Sequence, residues 1–285
     1  MNAVKLPACL SIGIASGMLL GVAIGIASGE EGATSAFRVC ADPNNLPFSS
    51  KEGSGFEDKL ADIIAAELSR PLTYVWHPQR RGFIRNTLKI GMCDAVMGLP
   101  ADLGMVTTSR PYYRSSYVFL YRQGRGLDGL TSMHDRRLRD VSIGVQLIGD
   151  DGYNTPPAHA LSAQGIVNNL VGYTVYGDYR APNPPARIVD AVAAGAVDVA
   201  AVWGPLAGYF APRENVPLTL APITDTAEYK PLLFQYDIAV AVRKGDEALQ
   251  TRINAALDRH RPEITRLLQS YGVPLVADYN TVPKN

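Results

Sequence analysis

Residues 37–76 read FRVCADPNNLPFSSKEGSGFEDKLADIIAAELSRPLTYVW, and this stretch decides the fold. Strands are predicted at Phe37–Ala41 and at Leu72–Trp76, because both runs are rich in β-branched and aromatic residues. Between them, the apolar residues of 55–69 recur at helical spacing, and Arg70-Pro71 ends that helix. A strand, a helix and a second strand in this order are typical of a parallel sheet covered by helices.

The same alternation continues along the chain. Further strands are predicted at 95–99, 117–121, 141–146, 171–176, 199–202, 216–223 and 234–242, and further helices at 81–91 and 185–196. A long apolar stripe then runs from Leu249 to Leu268, and Pro262 divides it into two helices. The pattern predicts an α/β protein of two lobes, each a mostly parallel sheet flanked by helices, with a cleft between the lobes.

The order of the elements predicts that the chain leaves the first lobe and later returns to it. We predict lobe 1 at 37–124 plus 228–285 and lobe 2 at 125–227, with a glycine-rich crossing near Gln123–Asp128. Strand ends and helix starts of both lobes would meet at the cleft, which makes the cleft the expected ligand site.

The N-terminal residues resemble an export signal. Lys5 is followed by an uncharged, apolar run at 6–29, which predicts a signal peptide at 1–29 and a periplasmic protein. An uncleaved membrane anchor stays open as the alternative. After cleavage only Cys40 and Cys93 remain, and two cysteines in an oxidising compartment suggest one disulfide. Two free thiols in neighbouring strands are the alternative.

Composition gives no support for catalysis or for nucleic-acid binding. Lys plus Arg and Asp plus Glu both number 27, and no basic run occurs. The four histidines lie far apart, without a metalloprotease spacing, and neither a nucleophile elbow nor a phosphate-binding loop is present. We therefore predict a protein that is not an enzyme and holds neither a metal nor a cofactor.

Three polar, proline-rich loops carry the candidate binding residues. They lie at 42–48, 149–157 and 176–185, and the first two follow equivalent strands of the two lobes. Rigid loops with tyrosines suit a protein partner or a bulky ligand, although ordinary loop composition is the alternative. The residues expected to bind a ligand or partner in the cleft are Asp42, Asn44, Phe48, Tyr112, Tyr113, Gln146, Asp151, Tyr153, Asn154 and Trp203.

Four segments carry a family resemblance. They are CADPNNLPF at 40–48, GMCD at 91–94, PYYRSSY at 111–117 and VWGPLAGY at 202–209. The chain resembles the type II periplasmic solute-binding proteins, and more specifically the MxaJ/XoxJ type of accessory protein of methylotrophs. These proteins are encoded beside dehydrogenases of methanol metabolism that depend on pyrroloquinoline quinone (PQQ). The resemblance implies the two-lobed fold and a periplasmic helper of that dehydrogenase, and it leaves a calcium-type and a lanthanide-type enzyme open as partner.

The chain departs from the amino-acid receptors of this fold at two positions. Those receptors place an Arg after the third strand of lobe 1 to grip the ligand carboxylate, and here Leu103 stands at that place. They place an acidic residue in lobe 2 to meet the ammonium, and here Trp203 stands there. A buried zwitterion needs both charged partners, so the departures argue against a free amino acid as ligand.

Three functions remain to be compared. The leading hypothesis is a non-catalytic periplasmic accessory protein that binds a PQQ-dependent methanol dehydrogenase and assists its maturation or activation. The alternative is a solute-binding protein of an ABC transporter for a small solute other than an amino acid. A quinone carrier would need cations, for which Arg110, Arg114 and Arg180 are candidates. A wide, open cleft would favour a protein client, and a pocket of a few hundred Å³ would favour a solute.

Overall fold

The computed structural model describes residues 35–148, 154–175 and 181–276. The predicted signal peptide at 1–29 lies outside the described residues. Within them, no helix is both long enough and apolar enough to cross a membrane.

The described residues form a mixed α/β structure. The strands are β1 (Phe37–Ala41), β2 (Asn44–Asn45), β3 (Ser49–Ser50), β4 (Leu72–Trp76), β5 (Ala95–Pro100), β6 (Thr107–Thr108), β7 (Tyr113–Arg122), β8 (Ile143–Leu147), β9 (Leu170–Thr174), β10 (Val199–Trp203), β11 (Leu218–Pro222) and β12 (Gln235–Val242). The α-helices are α1 (Phe56–Glu67), α2 (Phe83–Asn86), α3 (Pro156–Ala163), α4 (Arg187–Ala194), α5 (Gly204–Phe210), α6 (Glu247–Arg259) and α7 (Arg261–Ser270).

One strand, β7, belongs to both halves of the main sheet. The first half contains β4, β1, β5, β12 and β6, and the second half contains β10, β8, β9 and β11. The strand order is β4-β1-β5-β12-β7-β10-β8-β9, with β11 also on β7 and β6 also on β12. Tyr113–Ser116 of β7 pair with β12, and Tyr117–Tyr121 pair with β10. The outer pairs on each side are parallel, whereas β12 and β7 are antiparallel to their neighbours. The predicted α/β fold, with mostly parallel sheets flanked by helices, is confirmed.

Each half of the sheet has an apolar core on both of its faces. In β1, Phe37 and Val39 enter one core and Cys40 enters the opposite one, as the period of two in a strand requires. In β7, Tyr117 and Phe119 likewise enter a different core from Val118. Each half of the sheet is thus covered by an apolar core on each of its two faces.

The position of the boundary between the lobes stays a prediction. In the sheet, β7 changes partners between Ser116 and Tyr117, and the backbone N–H of Tyr117 donates to the carbonyl of Phe234. The predicted crossing at Gln123–Asp128 follows the end of β7. The strand predicted at 117–121 is longer than expected, because Tyr113–Ser116 also pair with β12.

The helix predicted at 81–91 is wrong over most of its length. Only Phe83–Asn86 are helical. Thr87 leaves the helical conformation, and its hydroxyl donates a hydrogen bond of 2.6 Å to the carbonyl of Phe83. Such a local side-chain bond competes with continuation of a helix.

A disulfide joins Cys40 to Cys93, as predicted. Cys40 lies in β1, and Cys93 lies two residues before β5, which pairs with β1 at Val39 and Ala95. The bridge is buried in an apolar core with Phe83, Leu88 and Val96. The disulfide therefore links the irregular segment before β5 to strand β1.

Reduction of this disulfide should lower the free energy of unfolding by about 4 kcal/mol, since the bridged cysteines are 53 residues apart. Denaturant unfolding with and without dithiothreitol measures the change. The Cys40→Ala/Cys93→Ala double variant is the control, because its stability should be low and insensitive to the reductant. A wild-type midpoint that does not move when free-thiol titration shows full reduction would contradict the prediction.

The segment after α7 packs against α5 through two glycines. A Cβ at Gly208 would overlap the carbonyl oxygen of Gly272, and a Cβ at Gly272 would overlap the carbonyl of Gly208. The hydroxyl of Ser115 also donates to the carbonyl of Pro274 at 2.7 Å. The C-terminal part of the first half is thereby held against a helix of the second half.

Gly272→Ala should destabilise the protein more than Gly124→Ala does. Both glycines have positive φ, +69° and +71°, but a Cβ at Gly124 would meet nothing within 4 Å. The strain of the left-handed conformation, about 1–2 kcal/mol, is therefore common to both variants. The backbone clash at Gly272 should add about 1–3 kcal/mol, measured by denaturant unfolding. Equal losses in the two variants would refute a stabilising contact between the glycines.

Candidate functional site

A cavity of about 400 Å³ lies where the two halves of the sheet meet. Strand ends, helix starts and the loop after β1 contribute its walls, as expected for an α/β protein. Its lining is Asp42, Asn44, Asn45, Phe48, Glu57, Gln79, Gly98, Pro100, Tyr113, Tyr117, Gln146, Ile148, Thr155, Pro156, Val175, Pro185, Trp203, Leu206, Tyr236 and Ile238.

The structure brings six of the ten predicted site residues together in this cavity. These are Asp42, Asn44, Phe48, Tyr113, Gln146 and Trp203. Tyr112 is buried beside Tyr113, with ring centroids 4.9 Å apart, and does not line the cavity. Asn154 forms a backbone bridge to Leu147 and does not line it either. Asp151 and Tyr153 lie outside the described residues.

Asp42 organises the loop after β1. One of its carboxylate oxygens accepts a hydrogen bond from the backbone N–H of Asn44 at 2.8 Å, and the other accepts one from the backbone N–H of Gln79 at 2.7 Å. The carboxylate is thus engaged with backbone amides, and its exposed fraction is only 4%. Its observed contacts position Asn44 and Gln79 at the cavity wall.

Asn44 connects the two halves of the molecule. Its side-chain amide donates to the carbonyl of Ala181 at 3.0 Å. Asn44 belongs to β2 in the first half, whereas Ala181 precedes α4 in the second half. This hydrogen bond therefore crosses from one lobe to the other beside the cavity.

Gln146 holds Trp203 at the cavity wall. The side-chain carbonyl of Gln146 accepts a hydrogen bond of 2.8 Å from the backbone N–H of Trp203, the residue before α5. The ring of Trp203 then meets Tyr117 at 5.3 Å and Tyr236 at 5.8 Å, both edge to face. Three strands, β7, β10 and β12, thus supply one aromatic wall.

The cavity contains no basic side chain among its described lining residues. Leu103 packs into the core around the disulfide instead of facing the cavity. Arg110 pairs with Asp258, and Arg114 pairs with Asp237 through two hydrogen bonds of 2.7 Å. Neither of these arginines lines the cavity, and Arg180 lies outside the described residues. Of the arginines considered for a quinone, Arg110 and Arg114 therefore do not converge there.

Glu57 is the acidic residue of the cavity wall that was not predicted from the sequence. It lies in the first turn of α1, where an acidic residue is ordinarily explained by the helix dipole. The capping role belongs to its neighbour, Asp58, which accepts hydrogen bonds of 2.9 Å from the backbone N–H groups of Ser50 and Gly55. A Cβ at Gly98 would overlap the Glu57 carboxyl, so the glycine gives that group its room.

Burial perturbs both acidic groups at the start of α1. Desolvation, followed by the charge of Asp58, raises the pKa of Glu57 to about 8. Desolvation also raises the pKa of Asp58 to about 6, against the opposing effect of its two backbone hydrogen bonds. Glu57 is therefore mostly protonated at neutral pH.

The arrangement does not resemble a metal site. Among the described residues, no group of three or more His, Cys, Asp or Glu side chains lies close enough together to hold a metal ion. Most of the cavity wall consists of aromatic and aliphatic side chains, with amide and carboxyl groups at a few points. Such walls are suited to an organic ligand.

Glu57→Gln should stabilise the protein more at pH 8 than at pH 5. The pKa of Glu57 is about 8 in the folded state against 4.5 ordinarily, so the unfolded chain loses this proton first as the pH rises. Stability therefore falls between these two values, and the glutamine variant avoids the loss. The difference in Tm between variant and wild type should grow by several degrees from pH 5 to pH 8 and then level off.

The matched control is Glu52→Gln, which changes an exposed glutamate close by in the sequence. Its difference in Tm from the wild type should stay flat over the same range. A flat difference for Glu57→Gln as well would show that the folded protein does not raise the pKa of this carboxyl.

Comparisons with known proteins place the chain among periplasmic binding proteins. It is 35% identical over 251 residues to the protein MoxJ of Methylorubrum extorquens, covering 84% of this chain and 81% of the relative. The crystal structure of the periplasmic binding protein XoxJ of Methylobacterium extorquens AM1 is 33% identical with a TM-score of 0.70, over 85% of this chain and 100% of that one. MxaJ of Methlophaga aminisulfidivorans MPT is 28% identical with a TM-score of 0.70 and the same coverage. No protein-family model matches the chain.

Proposed function

The chain belongs to the MoxJ family of periplasmic binding proteins, and from this membership we propose that it is a non-catalytic accessory protein of a PQQ-dependent methanol dehydrogenase. It would act in the periplasm, where it binds the dehydrogenase polypeptide and assists its maturation or activation. The observation that carries the proposal is the similarity to MoxJ, XoxJ and MxaJ over more than four fifths of the chain.

The cavity supports a role other than amino-acid transport. A zwitterionic amino acid needs a cation for its carboxylate, and the described lining residues offer none. Desolvation of an unpaired carboxylate costs several kcal/mol, which binding would have to supply from elsewhere. The apolar walls and the aromatic group around Trp203 are better suited to an apolar or aromatic group of a partner.

Co-purification tests the proposal directly. The chain, tagged and expressed in the periplasm of a methylotroph, should retain the apo form of the calcium-type or the lanthanide-type dehydrogenase. An amino-acid-binding protein of the same fold with the same tag is the control and should retain neither. Deletion of the gene should lower dehydrogenase activity while the enzyme polypeptide is still made. Absence of both dehydrogenases from the pull-down, together with normal activity in the deletion strain, would overturn the proposal.

A second function is favoured by the size of the cavity. A volume of about 400 Å³ is of the order of a small-molecule site, and by this criterion the cavity favours a solute over a polypeptide segment. The hydrogen bond from Asn44 to Ala181 also joins the two halves beside the cavity. A solute-binding protein of an ABC transporter, for a solute other than an amino acid, is therefore the alternative proposal. A transport defect in the deletion strain, together with normal dehydrogenase activity, would support this alternative.

A further inference from the structure

The two carboxyl groups of the cavity differ in their partners. Both oxygens of Asp42 accept backbone N–H groups. For Glu57, the described residues supply neither a hydrogen-bond donor nor a cation to its carboxyl, and the described lining contains no Lys, Arg or His. The Glu57 carboxyl thus has neither a hydrogen-bond donor nor a cation as partner among the described residues of the cavity wall.

An ionised carboxylate in this position is costly unless a cation enters with it. Removal of a carboxylate from water costs several kcal/mol, and an opposite charge at short range can repay that cost. Burial accordingly raises the pKa of Glu57 to about 8, so the group keeps its proton at neutral pH. An incoming cation would replace that proton.

The cavity wall also has the composition that attracts an organic cation. Five aromatic rings line the same cavity as Glu57, and they are Phe48, Tyr113, Tyr117, Trp203 and Tyr236. Aromatic faces attract ammonium and guanidinium groups, and the attraction grows when the cation is desolvated. Edge-to-face contacts between Trp203 and its two tyrosine neighbours fix this wall in place.

Other classes of ligand fit the wall less well. A divalent metal ion requires several oxygen ligands around one point, and the described residues form no such cluster. An anion would face two carboxyl groups without a basic side chain in the described lining. A cation with an apolar body matches both the Glu57 carboxyl and the aromatic and aliphatic side chains of the described wall.

We propose that the cavity binds an organic monocation, an alkylammonium or guanidinium group, with the Glu57 carboxylate as its counter-ion and the aromatic wall around its apolar part. Gly98 provides the space in which the carboxyl lies. The cation could be a free amine or the Lys or Arg side chain of a partner polypeptide, since both present the same chemistry. The inference concerns the isolated protein and does not depend on the role at the dehydrogenase.

Calorimetry with simple cations tests the inference. At pH 8.5 the wild-type protein should bind n-butylammonium or N-propylguanidinium, whereas uncharged n-butanol should bind at least tenfold more weakly. Glu57→Gln should lose at least tenfold in affinity, and Glu52→Gln should bind as the wild type does. Binding of n-butanol as tight as that of the cations, or undiminished binding of the cations by Glu57→Gln, would overturn the inference, as would no detectable binding of either cation at millimolar concentration.

The wild-type protein alone provides a second measurement. Below the Glu57 pKa of about 8, affinity should fall about tenfold per pH unit, because binding must release a proton. The titratable groups that interact with Glu57 are Asp58 on α1, Tyr74 on β4, Tyr112 immediately before β7 and Tyr113 at its start. Burial raises the pKa of all three tyrosines and keeps them neutral between pH 7 and 8.5. Asp58, with a pKa of about 6, is mostly ionised there.

Titration at pH 7 in buffers of different ionisation enthalpy should therefore show about one proton released per cation bound. Binding without proton release would contradict the role of Glu57 even if a variant failed to fold. Calorimetry with the Nα-acetyl methylamides of lysine and arginine distinguishes the two possible sources of the cation. Tighter binding of these capped residues than of n-butylammonium identifies a polypeptide side chain, and the reverse identifies a free amine, with the site supported in either case.

Discussion

The backbone hydrogen bonds of β7 hold the two halves of this protein together. Its first four residues pair with β12, and the residues from Tyr117 onward pair with β10 and β11. The change of partner takes place between Ser116 and Tyr117, inside a continuous strand that has neither glycine nor proline. The cavity lies at this change of partner, because Tyr113 and Tyr117 are both part of its wall. The shape of the site therefore depends on how the two halves of the sheet meet along one strand.

Two further contacts act at the same junction. The backbone of Gly272 touches that of Gly208, so the segment after α7 lies directly on α5. On the cavity side, Asn44 donates to the carbonyl of Ala181. Two-lobed binding proteins change shape by hinge motion at their connections. Here the glycine contact joins the halves by close backbone packing, whereas the Asn44 bond is a single hydrogen bond worth about 1 kcal/mol.

Much of the sheet could be predicted from the sequence, because its strands are short apolar runs between strong breakers. β1 and β4 have the predicted bounds, since each is rich in β-branched and aromatic residues and is flanked by proline or polar residues. Tyr113–Ser116 were missed because Arg114, Ser115 and Ser116 have no strand preference of their own and pair only because β12 lies beside them. The short α2 shows the opposite error, in which a local hydrogen bond of Thr87 prevailed over a helical pattern.

The binding residues show the same division between local and distant causes. Loop residues such as Asp42 and Asn44 could be identified because polar, proline-rich segments at strand ends are visible in the sequence. Glu57 could not, because its position at the cavity depends on Gly98, which lies 41 positions later and leaves space for the carboxyl. The apolar stripe of α1 decides which face of the helix is buried, and Glu57 lies beside that stripe, next to Phe56.

The residues at positions 57, 103 and 203 determine which ligand charges the cavity can accommodate. A zwitterion requires a cation and an anion from the protein, at separate points of the cleft. With Leu103 turned into the core and Trp203 on the cavity wall, neither position offers a charge. Glu57 adds one acidic group elsewhere in the cavity, and burial keeps that group neutral until a positive charge approaches. A site of this kind selects for positively charged ligands, because a proton and a ligand cation compete to neutralise the Glu57 carboxylate. Glu57, together with Gly98, which leaves space for its carboxyl, would then make a fold that binds amino acids in other proteins bind a cationic group here.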